Sequence, residues 1–216
     1  MLSVAPLPSN MDKHTHESRR QARTRTLERQ HGSRPGVFYV DIAGPSPTGF
    51  YTASVVHREK HVNGLSFRAQ NPERAEEVAI ALAAADPNSK VIITDSRKAC
   101  AHYLVGEISP LASQILKRAL ADPAPKRIVW APGHQGLRGN EAADAAARAL
   151  THRAPHLGSY DSEANTPLLR FKEILTYYRD THRLYPAPDE RGLSKGGRAN
   201  SKAPADRYST LVLTTT

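Results

Sequence analysis

A single cysteine, Cys100, in a chain of 216 residues excludes an intrachain disulfide and a cysteine-based zinc cluster, and it fits a reducing compartment. Long apolar runs are missing too. The longest, "VAIALAAA", has eight residues and is mostly alanine, far short of the roughly 20 that span a bilayer. It reads as a core helix segment, and no membrane partner is expected. The opening "MLSVAPLPSN" holds two prolines and no basic residue before its short apolar part, which argues against a signal peptide. The expected setting is therefore intracellular, in cytoplasm or nucleus. There is no internal repeat. Acidic residues are outnumbered, 21 Asp and Glu against 30 Lys and Arg, and the resulting formal charge of +9 favours a polyanionic partner.

What is present suffices for one globular domain with tails or for two small domains, and length alone does not choose between them. Hydrophobic residues make up 39% of the chain and concentrate between Val37 and Leu150, so a core is expected there. Residues 1–34 read as a basic arm: Asn10 to Arg34 carries seven Lys or Arg against three acids and is polar throughout. Its composition predicts disorder, with nucleic-acid contact as the functional alternative. The domain proper is placed at 35–153. Residues 154–216 form an extension, with an amphipathic helix expected over 167–184 and a disordered basic tail after it.

Within the domain, "GVFYVDIAG", "FYTASVVH" and "HVNGLSFRA" read as three successive strands, which suggests an antiparallel meander. "NPERAEEVAIALAAADPN" reads as a helix with Asn71 as N-cap and Pro72 at its first position. "KVIITD" lacks alternation and suits a strand covered on both faces. A helix through "SRKACAHYLV" breaks near "GEISP" and resumes in "LASQILKRAL", followed by the strand "PKRIVWAPG" and the alanine-rich helix "NEAADAAARAL". The order βββ-α-β-α-β-α is that of an α/β layer fold.

Two of these strands carry an acid among apolar residues, Asp41 in "VFYVDIAG" and Asp95 in "VIITDS". A buried carboxylate costs several kcal/mol or more unless compensated. Asp95 has a structural alternative, since a strand-ending Asp before Ser can cap the next helix. Asp41 is harder to explain that way. In the first helix, helical spacing puts Glu76 nearer the buried stripe of Val78, Ala79 and Leu82, with Glu77 turned toward solvent. Asp144 lies in the first turn of the last helix, where the helix dipole alone would favour an acid. An α/β fold can bring these four to one place. Converging carboxylates repel unless cations neutralise them, and hard divalent ions such as Mg2+ prefer oxygen ligands. Two such ions can clamp both oxygens of a phosphodiester during cleavage.

The stretch "WAPGHQGLRGNEAAD", from Trp130 to Asp144, resembles the strand, loop and helix signature of the type 1 ribonuclease H domain, particularly the version in LINE-type, non-LTR retrotransposon polyproteins. The resemblance covers about Val37 to His152. "AEEVAIALA" is similar to that family's helix bearing a catalytic Glu, which selects Glu76, and "ITDS" to the strand end bearing its second Asp, here Asp95. The resemblance implies that Asp41, Glu76, Asp95 and Asp144 are metal ligands and that His134 is a mobile residue assisting proton transfer or product release. It implies a ribonuclease H-like fold, a mixed five-stranded sheet with three antiparallel strands and then two parallel to the first, flanked by helices. It further implies two Mg2+ ions, or Mn2+, and endonucleolytic hydrolysis of the RNA strand of an RNA–DNA hybrid in a retrotransposon-derived protein. The first motif departs from the family pattern: "DIAG" lacks the usual small residue after the acid, which affects substrate contacts near Ile42 and Ala43.

Two other readings compete. One is a catalytically inactive module that keeps the fold and grips nucleic acid. The other is a zinc site built from "HTHE" or "HREKH", of which the first falls in the basic arm and the second in a turn. No partner protein is expected. Asn140 is expected to cap the helix that presents Asp144.

Overall fold

Asp41 interrupts an otherwise apolar stretch that forms a strand in the interior of the sheet, and the rest of the fold is arranged around it. In the computed structural model the described residues are 2–32, 34–119, 124–151 and 169–170. They comprise β1 (Leu2–Val4), α1 (Glu17–His31), β2 (Val37–Ala43), β3 (Phe50–His57), β4 (Lys60–Arg68), α2 (Pro72–Ala85), β5 (Val91–Thr94), α3 (Arg97–Val105), α4 (Pro110–Ala119), β6 (Lys126–Trp130), α5 (Arg138–Thr151) and β7 (Leu169–Arg170). The strands form one mixed sheet in the order β1-β6-β5-β2-β3-β4-β7. β2, β3 and β4 are an antiparallel meander. β5 runs parallel to β2, β6 to β5 and β1 to β6.

Strand periodicity divides the core in two. Phe38 and Val40 of β2 face a layer with Val78, Ala79 and Ile80 of α2 and Ala112 of α4. Val37 and Tyr39 face the other layer, with Leu27 of α1 and Leu137 and Ala143 at and within the start of α5. Helices on both faces explain why "KVIITD" reads as continuously apolar: Ile92 belongs to one layer and Ile93 to the other. The chain is thus an α/β protein with a mixed sheet flanked by helices.

Local signals place most boundaries. Asn71 caps α2, its side chain accepting the Arg74 N–H at 2.9 Å, and Pro72 follows where no N–H is needed. The turn of "HREK" puts Arg58 and Glu59 at φ 50° and 60°, the left-handed pair that matches the twist of a two-residue hairpin. Gly106, at φ 80°, ends α3, and the helical path resumes at Pro110.

The N-terminal 34 residues depart from the expected disordered arm. β1 adds a strand to the edge of β6, and α1 buries Arg20, Thr24 and Leu27 against the sheet. Those three positions follow helical spacing, yet only Leu27 is apolar, so composition concealed the stripe. Burial of Leu27 contributes about 2 kcal/mol. The terminal nitrogens of Arg20 donate to the Met11 and Gly133 carbonyls and Arg23 donates to the Trp130 carbonyl, and these hydrogen bonds offset part of the cost of docking a basic segment.

A second departure concerns Glu77, which is fully buried at 0% exposure. The connection between α3 and α4 folds over the side of α2 that spacing within the helix assigned to solvent. The Glu77 carboxylate accepts from Arg74 at 2.9 Å, from the Ser109 N–H at 2.6 Å, and lies 2.6 Å from His102 Nδ1. Of the helix expected over 167–184, Leu169 and Arg170 form the short strand β7 against β4; its remaining residues and the tail lie outside the described residues.

Candidate metal centre

The site lies where two parallel strands part. β2 and β5 are paired only as far as Tyr39 and Ile93; β5 ends at Thr94, while β2 continues to Ala43 against β3 alone. From β2 the chain builds the sheet toward β3, and from β5 it builds the other way toward β6. Such a reversal at the carboxyl ends of parallel strands leaves a crevice, the usual position of a ligand site in α/β sheets. Asp41 sits in the part of β2 beyond its pairing with β5, Asp95 follows the end of β5, and Glu76 reaches the same place from α2.

One oxygen from each of Asp41, Glu76 and Asp95 can be chosen so that all three lie within 4.8 Å of one another, close enough to hold a metal ion. Asp41 and Glu76 are buried, at 7% and 8% exposure. Burial pushes the Asp41 carboxyl up to about 8, the Asp95 charge adds to the effect, and the Ile42 N–H, donating at 2.8 Å, opposes it. Glu76 is driven well above the usual carboxylate range, first by burial and then by Asp41 and Asp95. Asp95 is raised by burial, while the Asn140 side-chain amide and the nearby His134 favour its charged form. Glu76 Oε2 is buried with no hydrogen-bond partner. An all-oxygen set with an unsatisfied buried acceptor and mutually raised acids fits a hard divalent cation, which would supply the missing positive charge.

Ser96 takes over the capping role that Asp95 could have had. Its hydroxyl accepts the Ala99 N–H at 3.3 Å, which leaves the Asp95 side chain to the acid group. The Asp95 carbonyl accepts the Trp130 indole N–H at 2.9 Å, tying the end of β5 to the end of β6.

His134 and Asp144 belong to a second group. With Glu141 they form another set whose ligand atoms lie within 4.8 Å. Asp144 remains close enough to the first group for its charge to raise both Asp41 and Asp95. It is paired with Arg148 at 2.7 Å, one helical turn on, a pair whose arginine is exposed and contributes little to stability. His134 is exposed and sits at φ 52°, in the left-handed region uncommon for residues with a side chain. Gly133 precedes it, and a Cβ there would come within 2.4 Å of Asp95 Oδ2. The loop thus rests directly on the acid group. Gly139 plays the corresponding part at the start of α5, where a Cβ would strike the Tyr39 ring at 2.3 Å.

Two residues of the site escaped the reading of the sequence. Asn140 is not the cap of α5, which begins at Arg138; it is inside the first turn, nearly buried at 2% exposure, and its amide lies 3.5 Å from Asp95 Oδ2. Glu141 is not singled out by the sequence, yet its carboxylate accepts the Gly136 N–H at 3.3 Å and closes the His134 loop. The spacing of Glu141 and Asp144, three apart on one helix, was the available signal. The histidines of "HTHE" and "HREKH" are in neither of the two groups found among the described residues. No helix there is long and apolar enough to cross a membrane.

No protein-family model and no curated protein matches the chain.

Proposed function

We propose that this protein is a metal-dependent nuclease that hydrolyses the RNA strand of RNA–DNA hybrids. The observation that carries the reading is the convergence of Asp41, Glu76 and Asp95 at the split between β2 and β5, with one buried oxygen of Glu76 unpartnered. Bound divalent cations, Mg2+ or Mn2+, would neutralise the phosphodiester and make an attacking water more acidic. Asp41, Glu76 and Asp95 would hold that charge in the crevice. Asp144 adds a further carboxylate at its edge, and the exposed imidazole of His134 is placed to carry a proton between the site and solvent. The formal charge of +9 suits a polyanionic substrate. The likeness of "WAPGHQGLRGNEAAD" to the ribonuclease H signature narrows the substrate to a hybrid, where 2′-hydroxyl contacts would select the strand.

The test is incubation of the purified protein with a labelled RNA–DNA hybrid and Mg2+ or Mn2+, beside an Asp41→Asn, Asp95→Asn control. Cleavage of the RNA strand by the wild type alone is the expected result, and equal signals from the two would sink the reading. One observation favours a second reading, a module that binds hybrids without cutting: Asp144 already has a cationic partner in Arg148. Salt-sensitive binding of hybrid that is indifferent to metal, without cleavage, would select it.

A further inference from the structure

We propose that α1 positions the His134 loop for the reaction proposed above, through Arg20 and Arg23, and the inference rests on that reading. Arg23 Nε and one of its terminal nitrogens both donate to the Trp130 carbonyl, at 3.1 and 2.6 Å. Arg20 donates to the Gly133 carbonyl at 3.2 Å and to the Met11 carbonyl at 3.2 Å. The two loop carbonyls bracket Ala131 and Pro132, and the second belongs to the residue directly before His134. The arginines therefore fix the stretch that leads into His134, the entry side of its loop.

The same helix also reaches the acid group. The Arg23 guanidinium lies 5.5 Å from the Trp130 ring centre, and the indole N–H of Trp130 holds the Asp95 carbonyl. Arg97 lies 5.6 Å from the same ring and donates to the Pro8 carbonyl at 2.8 Å, so the segment leading into α1 is tied to the same tryptophan. The anchoring has the chemistry of arginine in particular. A guanidinium can place two donors on one carbonyl, as Arg23 does, whereas an ammonium is a single point of charge. Arg20 is nearly buried, and Thr24 and Leu27 extend the same buried stripe. Arg19, Arg25 and Arg29 of the helix are exposed. They offer charge to solvent, which separates a positioning role from simple attraction of nucleic acid.

The experiment uses the full chain with 13C-labelled histidine, the His134 ring signal being assigned through a His134→Asn variant. Arg20→Ala, Arg23→Ala and the double variant are compared with an Arg19→Ala, Arg25→Ala control that removes equal charge. The positioning variants are expected to shift or broaden the His134 signal and to lower kcat for the hybrid on the order of tenfold, with KM within about twofold. The control is expected to leave the His134 signal and kcat unchanged. Arg23→Lys, which keeps one donor, should restore part of the loss. In a His134→Asn background, Arg23→Ala should lower kcat no further, since a residue acting through another is not additive with it. An unchanged His134 signal in the folded double variant, or a full additional loss in the His134→Asn background, would overturn the inference. Should the double variant fail to fold, the single variants and Arg23→Lys decide by the same signal. Absence of cleavage by the wild type would count against the nuclease reading, while the histidine signal still reports whether the arginines hold the loop.

Discussion

Glu76 and Glu77 are adjacent on α2 and both are buried, yet their surroundings are opposite in kind. Glu77 has a full set of partners from Arg74, His102 and Ser109. Glu76 faces two other acids and has an oxygen with no hydrogen-bond partner. A buried carboxylate that holds a fold together is surrounded by donors; one that waits for a cation is surrounded by other carboxylates. Burial of an acid is thus not itself a sign of function; the identity of its neighbours is.

The largest expected effect tests the acid group as chemistry. Asp41→Asn or Asp95→Asn should reduce hybrid cleavage on the order of a thousandfold, about 4 kcal/mol of barrier, in single-turnover assays with Mg2+. A loss smaller than about tenfold would remove these side chains from the reaction. Next comes stability. Glu77→Ala strands the Ser109 N–H and takes the carboxylate away from Arg74 and His102, and should lower the unfolding free energy by about 2–3 kcal/mol in urea titrations. Glu76→Gln, which deletes an uncompensated acid, should leave the metal-free protein as stable as before or more so. Equal destabilisation by the two would break the comparison.

A smaller effect sharpens it. Mg2+ at about ten times its dissociation constant should stabilise the wild type by about 1.4 kcal/mol and raise its melting temperature. The Glu77→Ala protein should show the same increment and Glu76→Gln much less, so that equal increments in all three would place the cation elsewhere. The smallest effect concerns His61 on β4, whose imidazole burial pushes down to about 4. The folded protein keeps it neutral, while the unfolded chain takes up a proton below about pH 6.5. Its contribution to stability is complete well above that pH and is lost as pH falls toward 4, by about 0.8 kcal/mol at pH 6. His61→Gln should flatten that part of the stability profile, and an unchanged slope would assign the acid sensitivity to other groups.

Much of the fold was legible because its signals are local. Phe50–His57 matches the strand read from "FYTASVVH" residue for residue, and the cap and first position of α2 follow from Asn71 and Pro72. The places that misled have a common cause. In α1 the buried stripe is made of an arginine, a threonine and a leucine, so its docking depends on carbonyls contributed by the 130–133 segment far along the chain. Glu77 lies on a face covered by His102 of α3 and by Ser109 in the α3–α4 connection. Asn140 looked like a cap because Asn is a good one, yet α5 starts two residues earlier and turns the amide toward Asp95.

The succession of most strands and helices, the scarcity of cysteine and membrane-length apolar runs, and the positions of the acids that interrupt apolar stretches are all readable in the chain itself. These are properties of short range, set by side-chain period, backbone preference and capping chemistry. Which acids meet is set by the folded chain. It placed Asp41, Glu76 and Asp95 together at the point where β2 and β5 part, grouped Asp144 with His134 and Glu141 beside them, and enclosed Glu77 among donors. Those outcomes depend on contacts between residues distant in the chain, whose pairing no local pattern encodes.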